Sequence, residues 1–145
     1  MMTASSHIAL AKTSSDIARC YEVMHELRTH VATSEEFVER VLRQQAQRYF
    51  LAYLEAEGEI RAAAGYRFSE SLFSGKFMYV DDLITRERDR SAGFGGILFD
   101  WLVAQAREQG CKRLELDSGV QRFRAHRFYL MKRMQIASHH FALEL

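Results

Sequence analysis

The chain has 145 residues, 48% of them hydrophobic and 27% charged, with a formal net charge of +1. That length suits one domain over residues 1–145, able to bury roughly two thirds of its unfolded surface, and the charge balance gives no electrostatic reason for a nucleic-acid or membrane partner. Only Cys20 and Cys111 occur, without metal-like spacing, and residues 1–12 lack the apolar run of an export signal, so a reducing cytoplasm is the expected setting.

In chain order, residues 6–11 read as a short strand. Ser14 or Ser15 then caps a helix on which Ile17, Cys20, Tyr21, Met24 and Leu27 recur at helical spacing. A second helix starts at Thr33 or Ser34, with Phe37, Val38, Val41 and Leu42 as its apolar stripe and Glu35 and Glu36 at its positive end. Residues 50–55 and 60–68 flank a turn-like 56–59 and predict a hairpin, which residues 76–85 extend by an antiparallel strand. A helix over 94–109 buries Ile97, Leu98, Trp101, Leu102 and Ala106 and stops at Gly110. Residues 113–116 read as a strand, 124–131 as a helix, and 136–145 as one or two closing strands. The resulting order is β-α-α-β-β-β-α-β-α-β, an α/β pattern. No proline and no Gly/Ser-rich tract marks a linker.

The most informative stretch is Arg90-Ser91-Ala92-Gly93-Phe94-Gly95-Gly96, between a predicted strand and a predicted helix. Glycines at 93, 95 and 96 remove the Cβ atoms that would keep an anion from the main chain. The helix behind them turns unpaired N–H groups and its positive end to the same point, so a pyrophosphate is the expected ligand. A Walker loop needs a lysine directly after the last glycine, and none follows Gly96 until Lys112. A dinucleotide loop needs glycine at position 98, which is Leu98.

The loop resembles the coenzyme A loop of the GNAT superfamily of acyl-CoA N-acyltransferases, whose R/Q-x-x-G-x-G/A pattern matches Arg90 to Gly95 at each defined position. Tyr79-Val80-Asp81-Asp82-Leu83-Ile84-Thr85 is similar to that family's preceding strand, and Ala125-His126-Arg127-Phe128-Tyr129 to its tyrosine-bearing helix. The resemblance implies a mixed central sheet flanked by helices and an acetyl group passed directly from acetyl-CoA to an amine in a ternary complex, without a metal. It also implies main-chain contacts from Ile84 and Thr85 to the pantetheine arm, with Arg90, Ser91, Ala92, Gly93, Phe94, Gly95 and Gly96 around the pyrophosphate. Three positions depart from the pattern: Ser91 stands where glycine is usual, Arg122 where many members carry Asn, and Arg133-Met134 in place of Gly-Phe.

Transfer to an amine requires two proton movements. An amine of pKa ~10.4 must lose a proton to become a nucleophile, and the departing sulfur must gain one. By resemblance Tyr129 is the acid, and a phenol stays protonated at pH 7. Asp81 is the base by resemblance to the diamine acetyltransferases, and Asp82 helps bind the acceptor. Strand alternation sends the two aspartates to opposite faces, and either is also readable as a surface partner of Arg86, Arg88 or Arg90. Glu115 and Asp117 are second-choice bases. His139 and His140 point apart, no ligand triad emerges, and Ser118 lacks the G-x-S-x-G context of a hydrolase.

Arg122, Arg124, Arg127, Lys132 and Arg133 crowd the tyrosine helix as a solvated face, or as a counter-charge to the adenosine 3′-phosphate. The acceptor is expected to be a small-molecule or peptide amine. Glu22, Glu26, Asp81 and Asp82 favour a cationic one. A closing strand ending at Leu145 would offer an edge for a homodimer. The competing reading is a non-catalytic CoA-binding regulatory module, which would need neither Tyr129 nor Asp81.

Overall fold

A computed structural model describes residues 5–145, so the first four residues of the N-terminal stretch lie outside it. Five strands form one sheet in the order β1-β2-β3-β4-β5: β1 (Ser6–Leu10), β2 (Tyr49–Ala56), β3 (Glu59–Ser71), β4 (Gly75–Thr85) and β5 (Arg113–Leu116). The first four pair antiparallel in succession. The helix α4 (Phe94–Glu108) carries the chain from β4 to β5, the crossover by which parallel neighbours are joined, so the sheet is mixed. The β2–β3 turn forms at Glu57 and Gly58, both at positive φ, as a two-residue hairpin loop demands.

The expected first helix is divided. Helix α1 (Ser14–Arg19) is capped by the Thr13 hydroxyl, which accepts from the Asp16 N–H, and α2 (Tyr21–His25) follows after Cys20. The cause is local: the Cys20 amide donates to Ile17 three residues back rather than four, and the Cys20 thiol takes the Asp16 carbonyl instead. Helix α3 (Ser34–Gln45) begins at its Thr33 cap, whose hydroxyl accepts from Glu36 N–H while the Glu36 carboxylate accepts from Ala32 N–H.

Ile17, Cys20, Val23, Met24, Phe37 and Val41 from these helices pack with Leu51, Tyr53 and Ala63 of the sheet. Tyr66, which alternates with Ala63 and so faces the other way, meets Trp101 of α4 edge-on. A run of wholly buried alanines, Ala62 to Ala64, lets helices approach both faces of β3. In α4 the buried residues are Phe94, Leu98, Phe99, Leu102 and Ala106, while Ile97, expected inside, is 43% exposed.

The described chain divides into two units, one up to Glu115 and one from Leu116 onward. The second holds α5 (Phe123–Met131) and the segment 132–145. The closing strand expected over 136–145 is not formed: residues 135–145 carry no helix or strand. Alternation of Phe141, Leu143 and Leu145 gives a strand-like pattern, but a strand exists only where a neighbour takes its N–H and C=O groups. These side chains are exposed.

Candidate active site

β4 runs 11 residues and β5 only four, and β5 is preceded by the Lys112 N–H donating to the Lys76 carbonyl near the start of β4. Parallel pairing from that point reaches about Val80. The β4 edge from Asp81 to Thr85 therefore extends past the end of β5, while its other edge stays paired to β3 down to Thr85 against Ala62. Arg86 N–H donates to the Arg61 carbonyl, so by the alternation of an antiparallel ladder Thr85 turns its main-chain groups to the edge that extends past β5, whereas Ile84, the other position assigned to a pantetheine arm, turns its own toward β3.

After Thr85 the chain enters a 3₁₀ turn at Glu87–Asp89, fixed by a network of charges. The Asp89 carboxylate accepts from Arg86 Nε at 2.6 Å and Arg61 Nη1 at 3.1 Å, and all three side chains are nearly buried. Burial alone would push the Asp89 carboxyl up, but the two guanidiniums outweigh it and hold it below the usual carboxylate range. Arg86 N–H donates to the Arg61 carbonyl, Arg86 and Arg88 reach Glu59, and Glu87 N–H donates to the Glu26 carboxylate at 2.8 Å. Arg61 also lies over the Phe94 ring at 5.8 Å.

Out of this frame the loop rises to α4. Arg90, Ser91, Ala92 and Gly93 are exposed. Ser91 takes φ 76, which explains why glycine suits that position, and Gly93 takes φ 89 as the helix N-cap. No side chain caps this helix. The Ile97 N–H is the first to find a carbonyl inside it, that of Gly93, so Phe94, Gly95 and Gly96 present N–H groups without an intrahelical acceptor.

A Cβ added at Gly93 would meet nothing within 4 Å, so the side of the loop where it would stand is open. At Gly95 the reason for glycine is different: a Cβ would sit 2.6 Å from Thr85 Oγ1. An open glycine, an uncapped helix start and donors without acceptors suit the diphosphate of a CoA thioester.

Asp81 and Asp82 depart from the expected alternation. The β3–β4 register runs Gly65 to Asp82 and Tyr66 to Val80, leaving Asp81 as the extra residue of a β-bulge. The bulge brings both side chains to one face. Arg67 Nε donates to both Asp81 oxygens at 3.1 and 3.0 Å, while Asp82 accepts from Arg28 Nε and from the Tyr49 hydroxyl, each at 2.7 Å. Tyr49 and Arg67 are cross-strand partners with the guanidinium over the phenol ring, and the ring lies where a Cβ of Gly65 would be.

Burial, opposed by Arg67, raises the Asp81 carboxyl above its ordinary value. Burial and the Asp82 charge push the Tyr49 phenol well up, keeping it a donor. Both aspartates are thus paired with arginines, Asp81 with Arg67 and Asp82 with Arg28. Neither pairs with Arg86, Arg88 or Arg90.

Tyr129 stands in the second unit, on α5. Burial raises its phenol above the ordinary value, and the neighbouring Arg122 guanidinium opposes that shift. His126 is tied by Nε2 to the Gly119 carbonyl at 2.8 Å. Of the second-choice bases, Glu115 is 3.4 Å from Arg113 and Asp117 3.5 Å from His140. Arg28, Tyr49, Arg61, Arg67 and Asp89 were not visible as site residues in the sequence. Arg61 meets Asp89 across 28 residues, Tyr49 meets Asp82 across 33 and Arg28 meets Asp82 across 54, while Arg67 meets Asp81 across 14.

Comparison with known proteins agrees with this geometry. Residues 12–133 match the model of the acetyltransferase (GNAT) family. The chain is 34% identical over 127 residues to the uncharacterized N-acetyltransferase YhdJ of Bacillus subtilis, covering 87% of this chain and 89% of that one. Its fold is similar to that of a ribosomal-protein-alanine N-acetyltransferase from Brucella melitensis, with TM-score 0.82 and 15% identity over 96% of this chain and 99% of that one. It is also similar to glucosamine-6-phosphate N-acetyltransferase from Arabidopsis thaliana, with TM-score 0.76 and 22% identity over 97% and 98%.

Proposed function

Because the chain belongs to the GNAT acetyltransferase family, we propose that it transfers an acetyl group from acetyl-CoA to a primary amine by direct attack in a ternary complex. The observation that carries the reading is the uncapped start of α4 at Phe94, behind a charge-fixed turn that begins at Glu87, five residues beyond Asp82 of β4. Acetyl-CoA would supply an activated thioester. Main-chain groups of Thr85 would hold its arm, and the loop from Arg90 to Gly96 would hold its diphosphate through N–H groups and the helix dipole.

Asp81 acts as the base in this reading. Its proton affinity is raised by burial, toward the range where a carboxylate can take a proton from an amine at neutral pH, and the bulge turns it from the regular ladder. Asp82, fixed at both oxygens, orients the acceptor side. Tyr129 Oη, kept protonated by burial, supplies the proton to the departing sulfur. A cytoplasmic setting, where two free cysteines stay reduced, goes with this reading.

A non-catalytic CoA-binding module has one observation on its side: Arg67 already occupies both Asp81 oxygens. Thiol release from acetyl-CoA over a panel of amines decides between the two. Acetyl-CoA binding without release for any amine would leave the binding module.

A further inference from the structure

We propose that Arg28 selects the acceptor, and that the acceptor is an amine carrying an anionic oxygen group, a carboxylate or a phosphate, close to the nitrogen that is acetylated. The inference rests on the reading of Asp81 as the base and adds to it the substrate class.

Arg28 lies in the segment after α2 and reaches the acid pair from a separate part of the chain. Its Nε donates to Asp82 Oδ1 at 2.7 Å and its Nη2 to the Asp81 carbonyl at 2.8 Å, so the guanidinium is planted directly against the residue that would take the amine proton. Those two bonds use two of its five N–H groups. Nη1 makes no bond among the described residues, and 43% of the side chain is exposed. A fixed plane with spare, solvent-facing donors matches the two oxygens of a carboxylate or phosphate.

Charge leads to the same class. Asp81 is balanced by Arg67 and Asp82 by Arg28, the second Asp82 oxygen is taken by Tyr49, and Glu26 on the same segment is engaged by the Glu87 N–H. The four side chains Arg28, Arg67, Asp81 and Asp82 thus cancel in charge, and the group among them that keeps spare donors toward solvent is the Arg28 guanidinium. An acceptor with its own anionic group pairs with those donors. The guanidinium beside its nitrogen then favours the uncharged, nucleophilic form.

Two matched pairs of acceptors test this, L-alanine against L-alaninamide and O-phosphoethanolamine against ethanolamine, with acetyl-CoA and thiol release as the readout. The wild type is expected to prefer the anionic member of one pair by about ten- to a hundredfold in kcat/KM, and the pair concerned identifies carboxylate or phosphate. Arg28→Gln should erase that ratio through KM, and Arg28→Lys, which keeps the charge without the fork, should restore part of it. Asp81→Asn should lower kcat for both members and leave the ratio intact.

Equal use of both members by the wild type, or an Arg28→Gln loss that falls equally on both, would overturn the assignment while leaving the transferase reading in place. Absence of thiol release with these and all other amines would remove the transferase reading and this inference together.

Discussion

Asp81 is the residue on which activity and stability should part company. Its carboxyl is raised in the folded chain, so ionising it opposes folding: its favourable contribution is present below the unfolded value and lost as pH rises through the folded one. Asp81→Asn should therefore lower turnover at pH 7 while holding or raising the melting temperature there. The activity loss should shrink at pH 9, where solution supplies free amine. A melting temperature that falls together with activity would make Asp81 a structural partner of Arg67.

Tyr129→Phe removes only a hydroxyl and should leave acetyl-CoA affinity unchanged. Loss of a general acid is worth ~10²–10⁴ in rate, which should appear in kcat; a change within about twofold would assign the phenol to packing and the Arg122 contact. Tyr129 was singled out in the sequence by its motif. Arg28 and Arg67 were not, because nothing local to an arginine tells which aspartate it will meet after the chain has folded back.

Among the elements, the junction of β4 with α4 divides its glycines by role, and substitution should separate them. Gly93→Val places a branched side chain at φ 89 in the open side of the loop and should abolish acetyl-CoA binding in a folded protein. Gly95→Ala instead meets the Thr85 hydroxyl, so it should lower the melting temperature, and Thr85→Ala should recover much of that loss. Additive losses in the double variant would mean that the contact is not the cause. Of the three glycines expected to leave room for phosphate, Gly93 has open space where its Cβ would stand and Gly95 has the Thr85 hydroxyl there.

Periodicity made α3 and α4 legible, and the hairpin signal at Glu57-Gly58 was equally local. The break at Cys20 and the extra residue at Asp81 were not, since each is a one-residue departure in hydrogen bonding that leaves the hydrophobic pattern untouched. Residues 136–145 fail in the opposite sense, with a strand pattern that finds no ladder in the described chain.

At the scale of the whole molecule, the charges around the turn at residues 87–89 give the stability curve an acid limb. Asp89 has a lowered folded value, so its contribution is present above its unfolded value of ~3.9 and is lost as pH falls through the folded one. The gap in melting temperature between wild type and Asp89→Asn should be widest near neutrality and close below about pH 4. A constant gap down to lower pH would assign the loss to packing.

The unsatisfied start of α4 also gives the protein a spectroscopic handle. Three consecutive amides, those of Phe94, Gly95 and Gly96, have no intrahelical acceptor, although they begin a well-packed helix whose next amide is bonded. Their protons should exchange with deuterated water orders of magnitude faster than those of Leu98 and Leu102 one and two turns on. A ligand seated on them would slow just these three, so occupancy of the loop can be read amide by amide before any acceptor is known.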